Sequence, residues 1–144
     1  VGPPVWGAAL PEDVRPMREG FAEMLADATA RVWLAEETAE GGHILGYQVY
    51  YPASPADDNL TISISDRTIL LAVAATRPEA RGRGVGRALA RPGLADAAAG
   101  YGVCVIGWRT TNIEAARFWP RFGFRPTVYR LTRKVDPRVA WARY

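Results

Sequence analysis

The sequence predicts an α/β (α+β) domain in which helices flank a mixed sheet of six or seven strands. Two apolar runs, residues 67–76 and 103–108, are typical of strands that are covered on both faces. Apolar residues at helical spacing over residues 10–25 predict an amphipathic helix, and the alanine-rich segment 88–102 predicts another. Because strands and helices follow one another along the chain, we expect one layered domain.

Shorter patterns predict the remaining strands. Residues 31–37 and 43–52 are rich in β-formers and flank a Gly41-Gly42 pair, which predicts an antiparallel hairpin. Residues 60–65 alternate apolar and polar side chains, which fits a short strand or an extended loop. Residues 124–135 predict a final strand or two.

Two helices have distinctive termini or interiors. Thr111 to Glu114 forms a capping-box pattern, which predicts a short helix ended by Gly123. Its apolar stripe consists of Ala115, Phe118, Trp119 and Phe122. Pro92 interrupts the alanine-rich helix, so we expect a kink at that position.

Length and composition restrict the class of protein. The 144 residues (15.7 kDa, 49% hydrophobic) predict one domain spanning 1–144, large enough to need no disulfide or metal. Cys104 is the single cysteine, and no apolar run reaches the roughly 18 residues of a membrane helix. A reducing cytoplasm is therefore the predicted compartment. Val1 is either a processed start or the first residue of an excerpt, and the sequence leaves both open.

Charge is unevenly distributed along the chain. In residues 1–66 acidic side chains outnumber basic ones eleven to three, whereas in residues 67–144 basic ones outnumber acidic ones fifteen to four. The basic half favours an anionic ligand, and the acidic half fits either a cationic ligand or an ordinary solvated surface.

The stretch "RGRGVGRAL", residues 81–89, lies between a predicted buried strand and a predicted helix. In that position backbone N–H groups and the helix dipole converge on an anion, which predicts a phosphate-binding loop. The loop lacks the Gly-Lys-Ser/Thr ending of a Walker loop and the glycine spacing of a dinucleotide fingerprint. An RNA-binding arginine-glycine segment is disfavoured because such segments belong to disordered regions.

Two motifs together resemble the GNAT N-acetyltransferase superfamily. In "ATRPEARGRGVGRAL" the family's Arg/Gln-x-x-Gly-x-Gly/Ala pattern falls on Arg81, Gly84 and Gly86, and downstream "TNIEAARFWPRFGF" is similar to the family's later helix. The resemblance covers about residues 44–128. It implies acetyl-CoA as co-substrate and a mostly antiparallel sheet with a splayed central strand pair.

The resemblance also implies roles for individual residues. Backbone N–H groups of the loop would cradle the coenzyme A pyrophosphate: Arg81, Gly82, Arg83, Gly84, Val85 and Gly86. Exposed backbone at Ala74, Ala75 and Thr76 would bind the pantetheine arm and polarise the thioester carbonyl. Asn112 would either contact pantetheine or serve only the turn.

The sequence departs from the family pattern on the catalytic side. Trp119 stands where many members have a tyrosine that reprotonates the departing thiolate, and an indole cannot act as an acid near neutral pH. No catalytic base or acid can be assigned. Glu36 and Glu37 are candidates for the acceptor side, or simply a solvated strand end, and His43 is expected at the surface. Only one clear helix precedes residue 31, where the family has a strand and two helices, so the first strand is degenerate, missing or supplied by a preceding domain.

The resulting prediction is an N-acetyltransferase that moves an acetyl group from acetyl-CoA to a primary amine, with no metal. The alternative is a non-catalytic acyl-CoA-binding or regulatory domain. We expect a small-molecule or peptide amine as acceptor, no nucleic acid and no membrane, and a second copy or a preceding domain as protein partner.

Overall fold

The computed structural model describes residues 14–39, 41–54 and 67–129. The chain divides into two compact units, Val1–Gly107 and Trp108–Tyr144, and each is described by itself.

The first unit contains two helices and four strands. In chain order these are α1 (Val14–Ala26), β1 (Arg31–Glu36), β2 (Ile44–Pro52), β3 (Thr68–Thr76), a 3-10 turn (Pro78–Ala80), α2 (Val85–Gly100) and β4 (Val103–Ile106). The strands form one sheet in the order β1-β2-β3-β4, with antiparallel pairing except between β3 and β4, which are parallel. The sheet is therefore mixed and mostly antiparallel, as predicted.

The predicted six or seven strands are not found: four strands form in the described residues. Residues 60–65 and 130–135, where further strands were predicted, lie outside those residues. Residues 124–129 are described and form neither helix nor strand. Pro126 lies in that segment and has no N–H to donate to a strand ladder, which disfavours a strand there.

The two helices of this unit pack on opposite faces of the sheet. On one face, Phe21 of α1 contacts Tyr47 edge-on with ring centroids 6.0 Å apart, and the Tyr51 hydroxyl donates to the Met24 carbonyl. On the other face, α2 covers Tyr50, which is fully buried and donates its hydroxyl hydrogen to Gln48 Oε1 at 2.7 Å.

Helix α2 lies unusually close to strand β2. A Cβ atom on Gly93 would stand 2.6 Å from the Tyr50 hydroxyl oxygen, and one on Gly46 would stand 3.1 Å from Val85 Cγ1. The helix continues through Pro92 rather than stopping there, and the kink expected at Pro92 stays a prediction. Buried Val85 and Leu89 join α2 to the core under the loop that precedes it.

The second unit contains α3 (Ile113–Phe118) and a following 3-10 helix (Trp119–Phe122). Gly123 ends this pair of turns with a φ of 85°, as the sequence predicted. The helix itself begins one residue later than the capping-box pattern indicates, because Asn112 rather than Thr111 is the N-cap.

Candidate functional site

The segment between β3 and α2 is a glycine-dependent loop. The backbone passes through a 3-10 turn and then through Gly82 and Gly84, whose φ angles are 74° and 86°. These angles lie in the left-handed region, which side chains disfavour, so glycine is required at both positions. Gly84 is also the N-cap of α2, which places the loop at the positive end of the helix dipole.

Several N–H groups of this loop remain available to a ligand. Five of them donate to no protein group in the part of the chain that the structure describes, namely those of Gly82, Gly84, Val85, Gly86 and Arg87. The first bond of the α2 ladder runs from the Ala88 N–H to the Gly84 carbonyl, so the preceding helical N–H groups are open. Such a cluster can bind an anion.

Two of the N–H groups predicted to bind the pyrophosphate are instead used inside the loop. The Arg81 N–H donates to the Pro78 carbonyl at 3.2 Å, and the Arg83 N–H donates to the Ala80 carbonyl at 3.4 Å. These bonds close consecutive tight turns and shape the loop. Arg87, which the sequence prediction omitted, belongs to the N–H cluster by its helix position.

The second predicted feature is the terminal part of β3. Strand β4 pairs with β3 only from Thr68 to Leu71, so among the described residues β3 has no strand neighbour on that side beyond Leu71. Ala74 and Ala75 are exposed. The N–H and C=O groups on this edge therefore face away from β2 and can bond a ligand.

A β-bulge marks the start of this free edge. In the β2–β3 pairing Val49 faces Val73 and Tyr50 faces Leu71, which leaves Ala72 as an extra residue on β3. The predicted pantetheine-binding backbone, Ala74 to Thr76, lies within this free edge, which begins two residues earlier at Ala72; its contact with pantetheine stays a prediction. Nothing in the letters "ILLAVAAT" signals the bulge, because a bulge depends on register with β2.

Glu37, a candidate for the acceptor side, lies beside the glycine loop. Its Oε1 is 3.8 Å from Arg83 Nη1, and both side chains line a cavity of about 170 Å³ with His43, Arg77 and Glu79. Glu36 is exposed at the end of β1. The acceptor role of either carboxylate stays a prediction.

An apolar cavity of about 360 Å³ lies near the turn of the β1–β2 hairpin, beside the last residues of β3. It is lined by Ile44, Gly46, Tyr47, Ala75, Thr76 and Arg77. Partial burial raises the pKa of the Tyr47 hydroxyl above its ordinary value of 10.0. That shift makes Tyr47 a weaker acid than an exposed tyrosine.

In the second unit, Asn112 has a structural partner. Its Oδ1 accepts the Ala115 N–H at 3.0 Å and caps α3. The amide nitrogen Nδ2 is the end of this side chain that could contact pantetheine, and that contact stays a prediction.

Trp119 is 5% exposed and lies in an aromatic cluster. Its ring centroid is 4.8 Å from that of Phe118 and 5.5 Å from that of Phe124, both in edge-to-face arrangement. Packing against these two rings is a sufficient reason for a large aromatic side chain at position 119. They leave its predicted contact with the cofactor untested.

The described residues that could bind a metal or react as a thiol are few. No group of three or more His, Cys, Asp or Glu side chains there could hold a metal ion. Cys104 is half-buried, and burial raises the pKa of its thiol from 9.0 to about 11, which suppresses the reactive thiolate. No described helix is long and apolar enough to span a membrane.

The bulged strand, the open N–H cluster and the loop between them belong to an α+β domain whose loop has the geometry that suits an anion. Its sequence matches the acetyltransferase (GNAT) domain over residues 28–126, and the chain belongs to this family. The resemblance inferred from the two motifs is thereby confirmed.

Solved structures share the fold. A Pyrococcus furiosus protein superposes with a TM-score of 0.68 at 18% identity, covering 94% of this chain and 83% of its own. The aminoglycoside N-acetyltransferase AAC(6')-Iy, solved with CoA, gives 0.63 at 19% identity, with coverage of 87% and 92%. An aminoglycoside acetyltransferase from an uncultured soil metagenomic sample gives 0.60 at 13% identity, with coverage of 82% and 74%. Comparison with curated protein sequences found no match.

Proposed function

We propose that this chain is an N-acetyltransferase that moves the acetyl group of acetyl-CoA to a primary amine. The observation that supports it most is the cluster of open N–H groups from Gly82 to Arg87, which directly follows the free edge of β3. The first feature suits a pyrophosphate and the second suits the amide groups of a pantetheine arm. Family membership supplies the reaction class.

The reaction requires a new bond from the acceptor nitrogen to the acetyl carbon and cleavage of the thioester C–S bond. One proton must leave the nitrogen, and the departing sulfur must be protonated or released as thiolate. Exposed N–H groups near the Ala72 bulge would stabilise negative charge developing on the carbonyl oxygen. Acid and base remain unassigned; burial raises the pKa of the Tyr47 hydroxyl, which makes it a weaker acid than an exposed tyrosine.

For the acceptor we propose a cationic amine. The first half of the chain is strongly acidic, and two solved structures that share the fold are aminoglycoside acetyltransferases. A panel of an aminoglycoside, a linear polyamine and an acidic amino acid, followed by release of free CoA thiol, tests this choice. Faster turnover of the acidic acceptor would refute it.

Calorimetric titration with CoA tests the cofactor site itself. Gly84→Glu places a carboxylate at the open N–H groups, and we expect it to weaken CoA binding by about tenfold or more through charge repulsion. Gly123→Glu is the matched control, because Gly123 has a φ of 85° against 86° at Gly84 and both have open space for a Cβ. Equal loss in both variants would mean that backbone strain, not the site, explains the effect, and retained binding in Gly84→Glu would refute the site.

A non-catalytic acyl-CoA-binding domain is the second candidate. Trp119 occupies the family's usual acid position, and its indole N–H can donate a hydrogen bond but cannot act as an acid near neutral pH. Binding of acetyl-CoA without thiol release on any amine would favour this candidate.

A further inference from the structure

Helix α2 begins in an arginine-rich, acid-free stretch. Residues 81–95 contain four arginines and no Asp or Glu. Arg83 is engaged by Glu37 across 3.8 Å. Arg87 and Arg91 are exposed, and within the described residues neither has a hydrogen bond or an ion pair. Two unneutralised guanidinium groups thus follow directly on the open N–H cluster.

Arg87 and Arg91 lie on the same side of α2, one turn apart. Residues four apart in a helix are neighbours on its surface, and long side chains lean toward the helix N-terminus. By this tendency we expect both guanidinium groups to lean toward the loop. Their spacing along the axis is about 6 Å, from a rise of 1.5 Å per residue.

The position of Asp96 shows which flank of α2 this is. Asp96 binds Arg31 of β1 and so marks the flank over β1. Successive helix residues are about 100° apart, so Leu94 lies on the opposite flank, toward β4, and Arg87 lies two turns before Leu94 on nearly the same line. The free edge of β3 also faces the β4 side. Arg87 thus flanks the side of the loop on which the β3 edge is open, and Arg91, one turn farther along, lies about 40° nearer the solvent-facing side of the helix.

A phosphate monoester matches this pair of arginines. It has a charge near −2 at neutral pH and three acceptor oxygens, and planar guanidinium groups bind such oxygens in pairs. CoA has two separate phosphate groups, a pyrophosphate and a ribose 3'-phosphate. The N–H cluster suits the first, which leaves the second for the arginines.

We propose that Arg87 and Arg91 form a subsite for the ribose 3'-phosphate of CoA and make the protein discriminate CoA from 3'-dephospho-CoA. The inference rests on the proposed function, because it assumes that CoA occupies the loop. It goes beyond that function because it assigns the ribose 3'-phosphate to Arg87 and Arg91, which lie outside the Arg81-x-x-Gly84-x-Gly86 motif.

Calorimetric titration of the whole chain with CoA and with 3'-dephospho-CoA tests the subsite. We expect the wild type to bind CoA about tenfold more tightly, the size of one charge-assisted hydrogen bond. In Arg87→Gln/Arg91→Gln the ratio of the two affinities should approach one, while the affinity for 3'-dephospho-CoA changes by less than about threefold. Arg18→Gln is the charge control, because α1 lies on the opposite face of the sheet.

Each outcome has one meaning. Equal wild-type affinities for the two ligands would overturn the subsite and leave the proposed function standing. A variant ratio that stays near the wild-type value would overturn the assignment to these arginines, as would an equal loss of affinity for both ligands. Failure of the wild type to bind either ligand would refute the proposed function and the subsite together. Circular dichroism and thermal melting confirm that each variant is folded.

Discussion

The Arg31 guanidinium lies 3.0 Å from Asp96 Oδ2 and 3.1 Å from the Asp96 carbonyl oxygen, and so connects strand β1 to helix α2. The same guanidinium stands 5.2 Å from the centre of the Tyr101 ring. One side chain thus joins a strand at one end of the described sheet to the helix that presents the N–H cluster.

Arg31→Gln should lower the free energy of unfolding by about 1 kcal/mol, because it removes the ion pair, a hydrogen bond and the contact with Tyr101. The effect is limited by solvent, since the Arg31 and Asp96 side chains are 35% and 43% exposed. Urea denaturation measures the change, and Arg18→Gln controls for lost charge alone. Equal midpoints for the two variants would contradict the role of the pair.

Gly93→Ala should destabilise the protein by about 2 kcal/mol, because the new methyl group overlaps the Tyr50 hydroxyl. Gly20→Ala in α1 is the matched control, since nothing lies within 4 Å of its Cβ position. The control should gain about 0.5–1 kcal/mol from helix propensity. Thermal unfolding of the two variants should therefore shift in opposite directions, and shifts of the same sign would contradict the close approach of α2.

Cys104 should react slowly in the folded protein. Raising its pKa from 9.0 to about 11 lowers the thiolate fraction at pH 8 by about 100-fold. Iodoacetamide should therefore alkylate the native protein far more slowly than the urea-unfolded chain, with Cys104→Ser as the unlabelled control. Equal rates would show that the thiol is not shielded.

The same raised pKa has a consequence for stability. The folded state keeps its proton to higher pH than the unfolded state, so this contribution is complete below pH 9.0 and is lost as pH rises through about 11. Cys104→Ser should lack this alkaline decline, which denaturation series at increasing pH would detect.

Asn112 variants separate its two predicted roles. Asn112→Ala should cost about 1 kcal/mol of stability through loss of the α3 cap, whereas Asn112→Ser should retain the cap. If the amide also contacts pantetheine, Asn112→Ser should bind acetyl-CoA more weakly at unchanged stability. Unchanged affinity in Asn112→Ser would leave the cap as its role.

Local patterns predicted the elements that local chemistry determines. Gly41, with a φ of 76°, lies between the two strands of the predicted hairpin, and β3 and α2 bracket the glycine loop as expected. The strand–loop–helix order was sufficient to locate the open N–H groups, because an N-terminal helical turn leaves its N–H groups without intrahelical partners whatever the sequence around it.

Features that depend on pairing between distant segments were not predictable. The Ala72 bulge needs the register with β2, and the Glu37–Arg83 pair needs the hairpin to lie beside the loop. The Arg81 and Arg83 N–H groups donate to carbonyl groups within tight turns, and no residue type in the loop predicts those hydrogen bonds. The sequence pattern indicated Thr111 as the N-cap of α3, one residue before the observed N-cap Asn112, because both side chains can cap a helix.

The two tight glycine contacts, at Gly46 and Gly93, determine how α2 rests on the sheet. Gly46 lies under the first turn of the helix and Gly93 about 12 Å farther along it, by the helical rise. Because α2 is held close to β2 at two separate positions along its length, it has little freedom to tilt on the sheet. The backbone donors at the helix N-terminus are thus oriented when the chain folds, so the anion binding that we propose there would cost little further ordering entropy.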